Sequence, residues 1–157
     1  PAHTTNDSLV WFAERSTLFC GDLVFNGGTP FLLMGSVVGA IDVLENVVAP
    51  LRATTTIPGH GPVFSGCAPL DATLDYLRFV LDVAERARTA GVGPLQAARD
   101  TDLGRFTEWP DAERIVGNLH RAYADLDGAQ CGAPIDVMAA LADMVDYNGG
   151  RRLTCLA

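Results

Sequence analysis

The stretch LFCGDLVFNGG, Leu18 to Gly28, decides the fold, because it joins a strand, a carboxylate and a sharp turn within one short segment. The apolar run Ser16 to Cys20 reads as a β-strand, and Gly21 lets the chain bend just before Asp22. Asp22 is therefore expected at the carboxyl edge of the strand, where open α/β sheets gather their ligands. Asn26-Gly27-Gly28-Thr29-Pro30 is turn punctuation, since Gly tolerates positive φ and Pro cannot continue a ladder. It is no phosphate cradle, for it lacks the lysine and the spacing of a P-loop.

Upstream, Ser8 to Phe12 is a second short apolar run, joined to the first through Ala13-Glu14-Arg15 as a hairpin or as two successive strands. Downstream, Ser36 can cap a helix whose apolar face is Val37, Ile41, Leu44 and Val48. Thr54 to Ile57 is a β-branched run, and Pro58-Gly59-His60-Gly61-Pro62 is expected to stop it in a rigid loop. Three strands and a helix fit an α/β layer. From Leu70 the period becomes helical. Leu70, Leu74, Leu77, Leu81 and Ala84 predict one long helix ending near Gly91. Three shorter helices are predicted next, with Pro94, Pro110 and Pro134 in their first turns. Their stripes are Leu95/Ala98, Ile115/Leu119/Ala122/Leu126 and Met138/Leu141/Ala142/Val145, and Gly149-Gly150 ends the last. Residues 1–66 thus form a β-rich segment and 67–157 a helical one.

A length of 157 residues, 48% hydrophobic and 19% charged, suits a folded domain and excludes a disordered chain. The longest apolar stretch, Phe31 to Val48, is broken by Gly35, Gly39, Asp42 and Glu45, so no membrane span is expected. The start PAHTTND carries neither a basic nor an apolar leader. With a net charge of −8, no lysine and no basic stripe, the chain is not expected to bind nucleic acid. Cys20, Cys67, Cys131 and Cys155 are scattered and form no C-x-x-C pair, which favours reduced thiols and a cytoplasmic setting.

Three side chains suited to metal binding stand in turns or beside strands: His3, Asp22 and His60. Two imidazoles and a carboxylate suit zinc, manganese or iron if they converge. Taken singly, a Gly-Asp after a strand is commonly a turn, and a histidine between glycines is commonly a surface loop. Other candidates read as structural. His120 flanks a helix beside Arg121, and Cys20 ends an apolar strand as a buried thiol. Trp109 and Tyr147 read as packing residues, Arg151 and Arg152 as a solvated tail. There is no G-x-S-x-G elbow.

The order of the whole set is more informative than any member. PAHTTND, a strand with LFCGDLVFNGG, a helix, and a strand with IPGHG together resemble the second half of the metallo-β-lactamase-fold hydrolases over residues 1 to about 63. The helices that follow look like the carboxyl-terminal extension of several branches of that family. The resemblance implies an α/β fold, the second half of an αββα sandwich over 1–66 with a helical extension, 67–157, packed on it. It implies His3 as a ligand of a first metal, Asp22 as the catalytic carboxylate bridging two metals, and His60 as a ligand of the second. Two zinc ions are implied, and iron or manganese suit the same donors. Metal-held hydroxide would attack the carbonyl of a thioester, ester or lactone. Thr4 or Asp7 would hydrogen-bond a ligand histidine and fix its tautomer. Phe25, Phe31, Leu32, Leu33 and Met34 surround the loop that borders the family's metal pocket, and a large apolar acyl group would suit them. Alternatively, Phe31 to Met34 begin the core side of the next helix. GDLVFNGGTPFLLMGS and EWPDAERIVGNLHRAYADLDG look similar to family members from aromatic polyketide pathways, which implies a cyclase or thioesterase acting on a carrier-bound chain.

The family's His-x-His-x-Asp-His is absent, and His3, His60 and His120 are the only histidines. In the family that motif lies upstream of the position matched by His3. The expected reading is a chain whose site is completed by an amino-terminal half, from the same gene product or a separate polypeptide. A second copy swapping elements into a homodimer is a further candidate companion. Half a sandwich should also bare one apolar sheet face. The rival expectation is a non-catalytic binding or structural half-protein that keeps the fold without a working metal site.

Overall fold

The computed structural model describes residues 1–156. Its sheet has the order β1-β2-β3, formed by Val10–Phe12, Thr17–Phe25 and Thr55–His60. The first pair is an antiparallel hairpin through a 3-10 turn at Ala13–Arg15, with Val10 opposite Phe19 and Phe12 opposite Thr17. The second pair is parallel, so a crossover must join its strands, and helix α1, Val37–Val43, lies in it. Ser36 caps this helix as expected, its Oγ accepting from the Gly39 N–H at 2.9 Å. A π turn at Leu44–Val48 and a 3-10 turn at Ala49–Leu51 continue it, and Val37, Ala40, Leu44 and Val48 are buried.

Two strands run further than their sequences suggest. β2 does not stop at Gly21: with φ at +51° that residue opens a bulge, and the strand resumes to Phe25. β3 does not stop at Pro58, because it is an edge strand and Pro58 faces Gly21 between register shifts, where a missing N–H costs little. Asp22 accordingly sits inside β2 just after the bulge, and His60 is the last residue of β3, rather than in loops beyond the strands.

The helical segment comprises α2 (Ala68–Thr89), α3 (Pro94–Arg99), α4 (Arg114–Leu126) and α5 (Val137–Tyr147). Of the three prolines expected in first turns, Pro94 alone begins its helix. Pro110 is followed by Asp111 at φ +58°, which delays α4 until Arg114. Asp136 caps α5, its Oδ1 accepting from the Ala139 N–H at 2.9 Å, so Pro134 lies outside the helix. The face that packs on the core also differs from the expected stripe. Ala140 and Met144 are the buried residues of α5, whereas Met138 is 74% exposed.

Both segments share one apolar core. Leu18, Cys20 and Val24 of β2 meet Val37 and Leu44, then Leu74, Leu77 and Val80 of α2 and Ile115 and Leu119 of α4. The opposite face of the hairpin is bare, with Val10, Phe12 and Phe19 exposed by 62%, 48% and 48%. Among the described residues no helix is long and apolar enough to cross a membrane.

Polar residues of α4 fix the loop between β2 and α1. Buried Asn118 accepts from the Leu32 N–H at 2.9 Å and donates to the Pro30 carbonyl at 2.8 Å. Buried Arg121 donates to the Leu33 and Ala133 carbonyls at 2.9 and 2.8 Å, and burial pulls its pKa down. Arg114 donates to the Thr29 carbonyl at 2.7 Å. With these bonds made, residues 29–33 need no regular structure of their own to be held. His120, expected on a solvated flank, instead contacts Asp143 at 2.8 Å and ties α4 to α5.

Candidate metal centre

His3, Asp22 and His60 meet at the carboxyl ends of β2 and β3. His3 Nε2 lies 3.3 Å from Asp22 Oδ2, and His60 Nε2 lies 3.6 Å from Asp22 Oδ1. Each imidazole therefore faces its own carboxylate oxygen. Both separations exceed the usual N–H···O range of about 2.7–3.2 Å. Two donors about 2.0–2.1 Å from one zinc at the tetrahedral angle stand about 3.3–3.4 Å apart, so this spacing suits ligands on either side of a bridging carboxylate. The division also means that each side offers only two donors. Among the described residues no three His, Cys, Asp or Glu side chains form a group able to hold a metal ion between them. The three side chains retain 20%, 38% and 29% exposure, leaving room for further donors.

Close backbone approach creates this geometry. His60 is the register partner of Phe25, and its carbonyl accepts from the Asn26 N–H at 3.0 Å. A Cβ on Gly59 would lie 2.0 Å from Asp22 Oδ1 and 2.6 Å from the Gly21 carbonyl carbon, so β3 can reach the carboxylate only with glycine there. Gly61 needs its glycine twice over: φ is +87°, and a Cβ would meet the Asn26 carbonyl oxygen at 2.0 Å. Gly59→Ala is expected to cost about 1–3 kcal/mol by overpacking and to push Asp22 from its position between the imidazoles. Thermal unfolding and histidine NMR signals check both effects.

His3 is placed by its loop. Asp7 accepts from the Ala2 and Thr4 N–H groups at 3.0 and 2.9 Å and from Thr4 Oγ1 at 2.8 Å. Thr4 and Asp7 thus brace the loop backbone and each other. Neither holds an imidazole as expected, and His3 Nδ1 is buried with no hydrogen-bond partner. The start of α1 presses on the same loop, Ser36 N–H donating to the Ala2 carbonyl at 2.9 Å and Gly35 leaving no room for a Cβ beside His3.

The residues expected to line a substrate pocket divide by burial. Phe25 and Leu33 are 2% and 1% exposed, so neither lines an open surface, and Phe25 backs the two imidazoles from the core. Phe31 is partly buried against that core, and Met34 is 53% exposed. Met34 helps to line a cavity of about 450 Å³ with Thr4, Thr5, Arg121, Ile135 and Val137. Ile135 and Val137 come from the helical segment and carry no motif that sequence reading could have caught. Cys20 is a buried thiol, as expected, with its pKa pushed up to about 11 by burial.

No family model matches the chain. The hydroxyacylglutathione hydrolase of Rhodospirillum rubrum is 34% identical to it over 147 residues, which are 88% of this chain and 53% of that protein. The chain thus spans about half the length of that relative. Similarity to a hydrolase along most of this sequence supports the metallo-β-lactamase-fold family read from its motifs.

Proposed function

We propose that this chain is the carboxyl-terminal half of a metal-dependent hydrolase of the metallo-β-lactamase fold, cleaving an acyl thioester. The observation that carries the proposal is the convergence of His3 and His60 on opposite oxygens of Asp22 at ligand-like spacing. Similarity to a hydroxyacylglutathione hydrolase favours a thioester over an ester or lactone. A cyclase or thioesterase of polyketide pathways draws no support from that relative and enters as one more carrier-bound acyl substrate to assay.

In this reading His3 and Asp22 would hold one zinc and Asp22 and His60 the other, with the missing donors supplied by an amino-terminal half. Bound zinc would supply a water of lowered pKa and polarise the substrate carbonyl. Asp22 stands between the two imidazoles, with one facing each carboxylate oxygen. The cavity beside Met34, lined also by Ile135 and Val137, takes the apolar part of the substrate. The amino-terminal half also covers Val10, Phe12 and Phe19, whose exposure on one sheet face suits a sandwich partner. Free thiols at Cys20, Cys67 and Cys131 fit a reducing, cytoplasmic setting.

Co-expression with a half carrying His-x-His-x-Asp-His tests the proposal. The expected result is a stable complex that takes up two zinc ions and hydrolyses an S-acylglutathione. A complex that takes up no metal would favour the rival, non-catalytic half-protein.

A further inference from the structure

We infer that Phe25, fixed by Arg114 of α4, is a positioning residue that sets the orientation of the His60 imidazole. This gives the helical segment a hold on the candidate metal centre from across the core. The role rests on reading His60 as a ligand. The contacts on which it is built do not.

The His60 ring stacks on Phe25 with centroids 4.7 Å apart and planes inclined by 9°. Ligand histidines are ordinarily oriented by a hydrogen bond to the second ring nitrogen. Among the described residues, only Asp22 is within polar reach of this ring, so the phenyl face is the orienting surface. The same phenyl lies 6.2 Å from the His3 ring, inclined by 44°, and so borders both imidazoles.

Phe25 can serve as a reference surface because it has little freedom. It is 2% exposed, and its carbonyl accepts from Thr73 Oγ1 of α2 at 3.2 Å. The Arg114 guanidinium stands 6.0 Å from the Phe25 centroid and 5.7 Å from that of Phe31, within cation–π reach of both. Arg114 is itself fixed, paired with Asp111 at 2.9 Å and bound to the Thr29 carbonyl at 2.7 Å. Asp111 to Arg114 to Phe25 to His60 is therefore one unbroken set of contacts.

Phe25→Leu removes the flat surface and keeps an apolar group. Phe106→Leu is the matched control, since Phe106 is also buried but packs with Tyr76, Phe79 and Trp109. Arg114→Lys keeps a cation for Asp111 without the planar group, and serves as the second variant should Phe25→Leu not fold. In the metal-free chain, ring-current shifts of the His60 C–H signals are expected to collapse in Phe25→Leu, to weaken in Arg114→Lys and to persist in Phe106→Leu. In the completed protein, zinc affinity should fall about tenfold in Phe25→Leu and stay unchanged in Phe106→Leu. His60 signals and affinity that ignore Phe25→Leu, or that respond equally to Phe106→Leu, overturn the inference. A completed wild-type protein that takes up no metal overturns the proposed function instead.

Discussion

Asp22→Ala is expected to abolish hydrolysis in the completed protein and to leave its fold intact. The carboxylate faces both imidazoles, one through each oxygen, so no conservative neighbour can replace it. Losing a residue that orients a ligand costs about 10–100-fold, and under the proposed function, where Asp22 would serve both metals, its loss should exceed that range. Stability should hardly change. The Asp22 side chain is 38% exposed, and substitutions at such sites usually stay within about 0.5 kcal/mol. The variant removes one obstacle to a Cβ at Gly59, Asp22 Oδ1, while the Gly21 carbonyl carbon and the backbone nitrogen of residue 22 remain at 2.6 and 2.7 Å. Turnover, zinc content and thermal midpoint, measured on one preparation, separate the cases. Unchanged turnover would remove Asp22 from the reaction, and a large fall in midpoint would make it a structural residue.

The meeting of His3, Asp22 and His60 was expected from the order of the whole motif set and its family resemblance, and local punctuation marks only Asp22 and His60. Gly21, Gly59 and Gly61 flag places where backbone approaches backbone, and a sequence displays glycines openly. The end points of the strands were less legible. Whether β2 survives Gly21, or β3 survives Pro58, depends on what the neighbouring strand offers at that register, and a bulge supplies it. The start of α5 was less legible for a related reason: Asp136, not Pro134, caps the helix, and its cap bond is visible only once Ala139 is in place.

The deepest omission concerns α4. Its apolar stripe was read correctly, yet Arg114, Asn118 and Arg121 are buried too. They recur at i, i+4 and i+7, as regularly as any apolar stripe, and each donates to a carbonyl of residues 29–33. Polar residues at that spacing ordinarily read as a solvated face. Here the irregular loop after Asp22 has carbonyl groups that no sheet or helix satisfies, and burying these donors is how the chain satisfies them. A long Gly/Pro-rich loop followed by a helix with a polar stripe is the signal that sequence reading can use.

Arg114→Met is expected to be the most destabilising of the single changes considered. The Asp111 side chain has no exposure, and removing its guanidinium leaves a buried carboxylate without that compensation, at a cost of about 3–5 kcal/mol. For a chain of this size that corresponds to a fall of roughly 6–20 °C in thermal midpoint. The same carboxylate accepts from Thr154 Oγ1 at 3.1 Å and from the Leu156 N–H at 2.8 Å, so the carboxyl-terminal tail should loosen as well. Asp111→Asn in the Arg114→Met background separates charge from shape. Asparagine tolerates the positive φ of +58° and keeps an acceptor for the tail, but carries no charge. The double variant should therefore recover much of the loss in urea denaturation, although Arg114→Met removes a packed side chain in both backgrounds. If it recovers nothing, the cost lies in the lost contacts with Thr29, Phe25 and Phe31 rather than in the stranded charge. In that case the arginine serves chiefly to hold the loop and the ring beside His60, and the fall in stability should be matched by a change in the His60 signals.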